Sequence, residues 1–547
     1  GVEGTTLDGD PAGAFERISG FADLSMWKGA TPGMVLGVTD RERTLFASAK
    51  GFSDAVSMRA LAPDALFQIG SVSKSFTCIA LLQLAERGEV DLHQPLKRYL
   101  PWFSVRSRYQ DITLHHLMTH TAGIILGSDA TPTAWTEVWD LREEEAACEP
   151  GTRFHYSNSG YKALGLVLET LCGKPYDRVI REGILEAAGM RSTEPVITND
   201  VRGRQAVAHL PLHDDRPSNH RSEMYPAPWF EGDTGDGSIC APLEDMLAYV
   251  RLLLNGGEGP WGRAMSADSF RLMTTPYIVP EDGLHSGGYG YGLNTETVEG
   301  HRYLGHQGGM VGHYTSMLMD TDSGIGVTVM VNGPGEPEQV ARFAMECMRA
   351  SSAGTPLPKV PLKEKVFMTA SAPDFPGSYV GPDGQFEIMD RGGTLHMAWA
   401  GHEGVLEPRD GDAFFVDADG FELFLLEFER EGGRAVRAHH GARTWSREGM
   451  PEMVRPEAPA GGVRYDGHYR SHNPWLSNFR VVRRTGGLVL VMPHGASQPL
   501  VPLEGHRFRI GADERSPERV AFDGVIDGVA TSAVVSGGGR FGRTFTP

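Results

Sequence analysis

A chain of 547 residues, 40% hydrophobic and 22% charged, is long enough for two or three domains and has the composition of an ordinary globular protein. No stretch approaches the roughly 18 uninterrupted apolar residues that a membrane helix requires. The net charge of −19, of which −16 falls in residues 1–350, repels nucleic acid and anionic lipid, so a small molecule or short peptide is the expected partner. Five cysteines, Cys78, Cys148, Cys172, Cys240 and Cys347, are odd in number, scattered and free of any CxxC pair. Neither a disulfide framework nor a cysteine zinc site is expected, which fits a cytoplasmic location. The chain opens at Gly1 without a signal-like segment, and export after removal of a leader is the alternative.

Along the chain, the first strong element is a helix predicted over Ser71–Arg87, with Phe76, Ile79 and Leu82 at helical spacing and Gly88 as its stop. It opens on Gly70-Ser71-Val72-Ser73-Lys74, an S-x-x-K sequence. On a helix, three-residue spacing brings Lys74 onto the face of Ser71. A serine hydroxyl needs a neighbouring base to become a good nucleophile, and a lysine can serve once burial or nearby positive charge lowers its pKa. The helix N-terminus also points a backbone N–H at the oxygen that turns negative during attack. Alone, the same four residues more commonly describe an N-cap serine with a solvent-facing lysine, and it is the motifs downstream that favour the chemical reading.

His115 and His116 read as structural residues, and Glu143-Glu144-Glu145 as a solvated helix face. Phe154-His155-Tyr156-Ser157-Asn158 then supplies a Y-x-N sequence. The tyrosine can exchange a proton if cations stabilise its phenolate, whereas the asparagine offers a donor and an acceptor and does not titrate. His209, His213, Asp214 and Asp215 could share one helical face, but Pro211 breaks it. No metal is therefore expected, and Pro211–His220 reads as a loop on the rim of the catalytic domain. Leu304-Gly305-His306-Gln307-Gly308-Gly309 follows, with a strand predicted over Gly324–Asn332.

The segment 351–365, rich in Pro, Ser and Lys, reads as a linker. Beyond it, short β-prone runs repeat. Gly377-Ser378-Tyr379 recurs as Gly467-His468-Tyr469, Gly392-Gly393 as Gly486-Gly487, Leu406-Glu407-Pro408 as Leu500-Val501-Pro502, and Gly411 with Phe414 as Gly505 with Phe508. An insertion near His472–Ser477 accounts for the change of offset. Two tandem antiparallel β-barrels of lipocalin-like build are expected, over 366–457 and 458–547, behind a catalytic domain over 15–350.

In order and approximate spacing, the S-x-x-K, Y-x-N and H-x-G sequences resemble the three motifs of the S-x-x-K acyltransferases, the group of class C β-lactamases, serine D-peptidases and related esterases. Ile112–Gly123, Ala188-Gly189-Met190 and Gly237-Ser238-Ile239 match between them, so the resemblance covers roughly residues 15–350. It implies an α/β catalytic domain in which an antiparallel sheet is flanked by helices and joined by a helical lobe. It makes Ser71 the nucleophile, Lys74 and Tyr156 the proton-transfer pair, and Asn158 the residue that orients Lys74 and the substrate amide. The strand carrying His306, Gly308 and Gly309 becomes the substrate-binding strand, and the N–H groups of Ser71 and Gly309 become the oxyanion hole. Which of Lys74 and Tyr156 is the base in each half-reaction stays open, and no cofactor is implied.

The third motif departs from the K-T-G of typical β-lactamases, because His306 stands at the lysine position and Gln307 at the threonine. An imidazole, with an ordinary pKa of about 6.5, grips a substrate carboxylate less firmly than a permanent cation. Amides or esters lacking that carboxylate are favoured. The H-x-G form and the two following barrels are similar to D-aminopeptidases and D-amino-acid amidases, with carboxylesterases, β-lactamase-like hydrolases, transacylases and non-hydrolytic penicillin-recognising proteins as alternatives. In the aminopeptidase subgroup a loop of the last barrel narrows the active site, and His472–Ser477, with Trp475 as plug, is the candidate segment here, the alternative being a plain surface hairpin with Trp475 folded onto its own barrel. Barrels of this kind can also pack on a second copy of the chain, which leaves room for a homodimer.

Overall fold

The computed structural model describes residues 11–127, 129, 131–283, 287–458, 460–537 and 539–547. Its contacts divide the chain into two units, Gly1–Leu212 with Ser222–Val360, and His213–Arg221 with Pro361–Pro547.

The first unit is built on an eight-stranded antiparallel sheet. Its strands are β1 (Gly33–Thr39), β2 (Thr44–Asp54), β3 (Arg59–Ala60), β4 (Gly288–Tyr289), β5 (Asn294–Val298), β6 (His301–Gly309), β7 (Tyr314–Asp320) and β8 (Ile325–Val331), ordered β4-β5-β6-β7-β8-β1-β2-β3. Both faces of the central strands are covered, which is why β1 and β8 read as unbroken apolar runs instead of alternating ones. Met34, Leu36 and Val38 face the first and last helices, α1 (Pro11–Gly29) and a C-terminal helix over Pro337–Ala353, where Phe21 stacks on Phe343 with centroids 4.2 Å apart. Val35 and Met330 face the opposite core, shared with the buried helix α2 (Ser73–Glu86).

The helical lobe contributes α3 (Leu114–Met118), α4 (Ala134–Asp140) and α5 (Asn158–Cys172), and α6 (Leu243–Leu254) backs the sheet. Thr113 caps α3 in a reciprocal capping box with His116, and His115 Nδ1 lies 2.7 Å from the Tyr291 hydroxyl, so both histidines have partners within the fold. The helix expected from Ser71 starts differently. A single 3₁₀ turn, Gly70–Val72, precedes α2, because the Val72 N–H already bonds the Ile69 carbonyl at 3.3 Å.

The second unit holds two closed eight-stranded antiparallel barrels, running from Gly377–Gly381 to Arg443–Arg447 and from Gly467–Arg470 to Gly539–Arg543. Closure leaves no strand edge to be satisfied, and eight strands enclose a space that side chains fill. The internal repeat has a direct structural meaning. Tyr379 and Tyr469 are fully buried at equivalent positions of the two first strands, and each donates its hydroxyl to the carbonyl four residues earlier, Phe375 at 2.8 Å and Tyr465 at 2.6 Å. Phe414 and Phe508 likewise fill the two fifth strands. The barrels join through Arg484, which donates to Glu427 at 3.0 Å and to the Gly441 carbonyl at 2.9 Å.

The segment His213–Arg221 groups with these barrels and not with the catalytic rim where the sequence suggested it. Asp214 accepts both terminal nitrogens of Arg470 at 2.9 Å and the Ser477 hydroxyl at 2.8 Å, while His220 Nδ1 lies 2.8 Å from Glu407. A bidentate arginine–carboxylate pair has no counterpart in local sequence patterns, so only the folded chain reveals it.

Candidate active site

Ser71 sits on the 3₁₀ turn at the mouth of α2, half-buried, and Lys74 occupies the first turn of that helix with no exposed surface. Lys74 Nζ donates to Ser71 Oγ at 2.8 Å, to Asn158 Oδ1 at 2.7 Å and to the Asp236 carbonyl at 3.0 Å. Asn158 is held for this contact by the start of α5. The Ser157 side chain caps the helix by accepting the Gly160 N–H at 3.0 Å, and the Asn158 N–H bonds the Leu126 carbonyl at 2.8 Å. The Tyr156 hydroxyl hydrogen-bonds Ser71, and Lys74 Nζ stands 4.8 Å from the centre of the Tyr156 ring.

The far wall is the C-terminal end of β6, which runs flush against the Ser71 turn. Gly70 adopts a φ of +54°, where a side chain would be strained and would come within 2.8 Å of the Gly309 nitrogen. His306 lies on the same strand, only 4% exposed, with Nε2 2.9 Å from the Tyr289 hydroxyl and Nδ1 2.5 Å from the Gln307 carbonyl. Gln307 points to the other face and bonds Glu338. The structure thus brings Ser71, Lys74, Tyr156 and Asn158 together, sets Gly308 and Gly309 beside them, and buries His306 with its ring centre 6.2 Å from that of Tyr156.

Burial pushes the Lys74 amine down to about 8, and the neighbouring Lys162 charge acts in the same direction, while Asp236 and Asp129 oppose it. Burial of the Tyr156 hydroxyl drives its pKa upward despite the bond from Ser71. The lysine is therefore the member of the pair whose deprotonated, proton-accepting form lies within reach at physiological pH, while the tyrosine stays a neutral phenol.

A family model described as beta-lactamase matches residues 18–346, more than half of the chain. The chain belongs to the β-lactamase family. It is a serine hydrolase by that membership. Over 291 residues it is 26% identical to penicillin-binding protein 4 of Amycolatopsis lactamdurans, covering 50% of this chain and 74% of that protein. The structure of the octameric penicillin-binding protein homologue from Pyrococcus abyssi shares the fold with a TM-score of 0.58 at 22% identity, over 80% of this chain and 99% of that one. That of a D-stereospecific amidohydrolase from Streptomyces sp. does so with a TM-score of 0.51 at 22% identity, over 63% and 100%.

Sequence reasoning missed part of this hydrolase's site. His120, quoted only as part of a matching stretch, has a φ of +57° and stacks 4.1 Å from the Tyr156 ring, with Nδ1 accepting the Ser157 N–H at 3.0 Å. Asp236, 6% exposed, carries one carboxylate oxygen with no hydrogen-bond partner. Lys162, 1% exposed, bonds both Glu137 and Asp129. The usable signal was a charged residue at i+4 from Asn158 on the apolar face of a helix.

Proposed function

We propose that this serine hydrolase works through an acyl-enzyme on Ser71 and cleaves amides without a free carboxylate, in the manner of D-aminopeptidases and D-amino-acid amidases. The observation that carries the reading is the buried Lys74 amine, bridging Ser71 Oγ at 2.8 Å and Asn158 Oδ1 at 2.7 Å. Neutral Lys74 takes the Ser71 proton as Oγ bonds the substrate carbonyl carbon, and the carbonyl electron pair moves onto oxygen. The N–H groups of Ser71 and Gly309 hold that oxyanion. Collapse expels the amine, which receives a proton from the Tyr156 hydroxyl, and Lys74 returns a proton to Tyr156. Water then attacks the acyl carbon, giving up its proton to the same pair, and Ser71 leaves reprotonated.

Two features support a substrate lacking a carboxylate. Both ring nitrogens of His306 have partners inside the protein, Tyr289 and the Gln307 carbonyl, so the ring is not a carboxylate clamp. The groups around Lys74 include the carboxylates of Asp236 and Asp129, whose charge repels an anionic substrate. The preference for D-amino-acid amides rests on the H-x-G motif followed by two barrels.

The test is a hydrolysis panel of D- and L-amino-acid p-nitroanilides, short-chain p-nitrophenyl esters and nitrocefin, run with wild type and Ser71→Ala. The reading expects D-anilide turnover that Ser71→Ala abolishes, along with loss of the fluorophosphonate adduct in intact mass. Turnover of esters alone indicates a carboxylesterase, and turnover retained in Ser71→Ala removes the mechanism.

A further inference from the structure

We propose that Lys162, which the catalytic steps do not use, is a positioning residue for acyl transfer: its ammonium, anchored by Glu137 and Asp129 beside Lys74, keeps the Lys74 amine available to take the Ser71 proton. The proposal rests on the reading of Lys74 as the base. Lys162 Nζ is bonded to Glu137 Oε2 and Asp129 Oδ1, and Glu137, itself 7% exposed, also accepts the Ser159 hydroxyl at 3.0 Å. Lys162 lies one helical turn beyond Asn158 on α5, so the helix that presents Asn158 to Lys74 also presents this second cation.

A buried ion triad is a poor device for stability, because desolvating the charges costs about as much as their attraction returns, and apolar side chains could fill the same space. Its placement acquires a purpose through Lys74. The groups facing Lys74 are Ser71 and Cys78 on its own segment, Asn158, Tyr161 and Lys162 on α5, Tyr156 just ahead of α5, Asp236 on the loop before Cys240, and Asp129 on the loop before α4. Among these described neighbours, Lys162 is the one cation. Asp236 and Asp129 favour the protonated form of Lys74, in which the amine can accept nothing from Ser71, and Lys162 opposes them. In the step concerned, the Ser71 O–H bond breaks, its proton passes to the Lys74 lone pair, and Oγ bonds the carbonyl carbon.

The test measures the rate of Ser71 labelling by a fluorophosphonate against pH, which reports activation of the nucleophile whatever the natural substrate. In Lys162→Met, the acid limb of the profile moves up by about one pH unit, so labelling at pH 7 slows about tenfold and recovers at alkaline pH. Lys162→Arg, which retains the charge, keeps the wild-type limb. Should Lys162→Met fail to fold, the paired variant Glu137→Gln/Lys162→Met removes the buried charge together with a partner and is expected to show an upward movement in the same direction but smaller, because loss of the Glu137 charge offsets part of the loss of the cation. A limb that stays in place while the rate falls by one factor at every pH, or a wild-type rate throughout, overturns the role of Lys162. Absence of Ser71 labelling in the wild type overturns the acyl-enzyme reading itself and this proposal with it.

Discussion

Gly308 and Ile69 approach so closely that a β-carbon on Gly308 would stand 1.9 Å from the Ile69 carbonyl oxygen and 3.0 Å from the Ser71 nitrogen. No side chain fits there without parting β6 from the Ser71 turn. Gly308→Ala is therefore expected to lower kcat by about 100-fold or more, the scale of losing an oxyanion donor, while circular dichroism still reports a folded chain. Wild-type kcat in that variant would show that the two segments need not touch.

Lys74 carries a stability cost in the folded state. Its pKa falls from 10.5 unfolded to about 8 folded, so below pH 8 the fold keeps a buried charge, and between pH 8 and 10.5 it gives up a proton that the unfolded chain retains. The unfolded chain binds more protons between those values, and wild-type stability therefore rises with pH across that window. Lys74→Met lacks this dependence. It is expected to be inactive yet more stable than wild type at pH 7, by roughly 3 kcal/mol at most, with the advantage fading towards pH 10. Melting curves of both proteins from pH 6 to 10 measure it, and a constant offset would contradict the assigned shift.

Tyr156 donates to the leaving group in the proposed mechanism, and leaving groups differ in how much they need that proton. Tyr156→Phe should reduce hydrolysis of an anilide by about 100-fold or more, and of a p-nitrophenyl ester far less, since nitrophenolate departs unprotonated. Equal losses on both substrates would place Tyr156 in the attack step instead.

His306 tests the reading of the substrate. His306→Lys restores a permanent cation on β6, and acylation by a carboxylate-bearing penicillin should rise relative to acylation by a neutral ester, by about tenfold. Intact-mass kinetics of the penicillin adduct read this out, and an unchanged ratio would mean that the carboxylate never approaches β6.

Part of this protein follows from its sequence because the relevant interactions are local. Ser71 and Lys74 are three residues apart, so helix geometry alone aligns them, and the Ser157 cap sets Asn158 by the same short-range logic. The barrels were legible because their turns and strand alternation recur, from Tyr379 to Tyr469 and, after one insertion, in a single register from Gly392 to Gly486 and from Phe414 to Phe508. The tertiary structure decided what depends on distance and dielectric. His306 became a buried ring held by Tyr289, and Pro211–His220 proved to belong largely with the barrels. The charge state of Lys74 is set by burial and by Asp236, Asp129 and Lys162, on segments 162, 55 and 88 residues away along the chain. Electrostatic energy depends on separation in space and on the surrounding medium, neither of which residue order encodes.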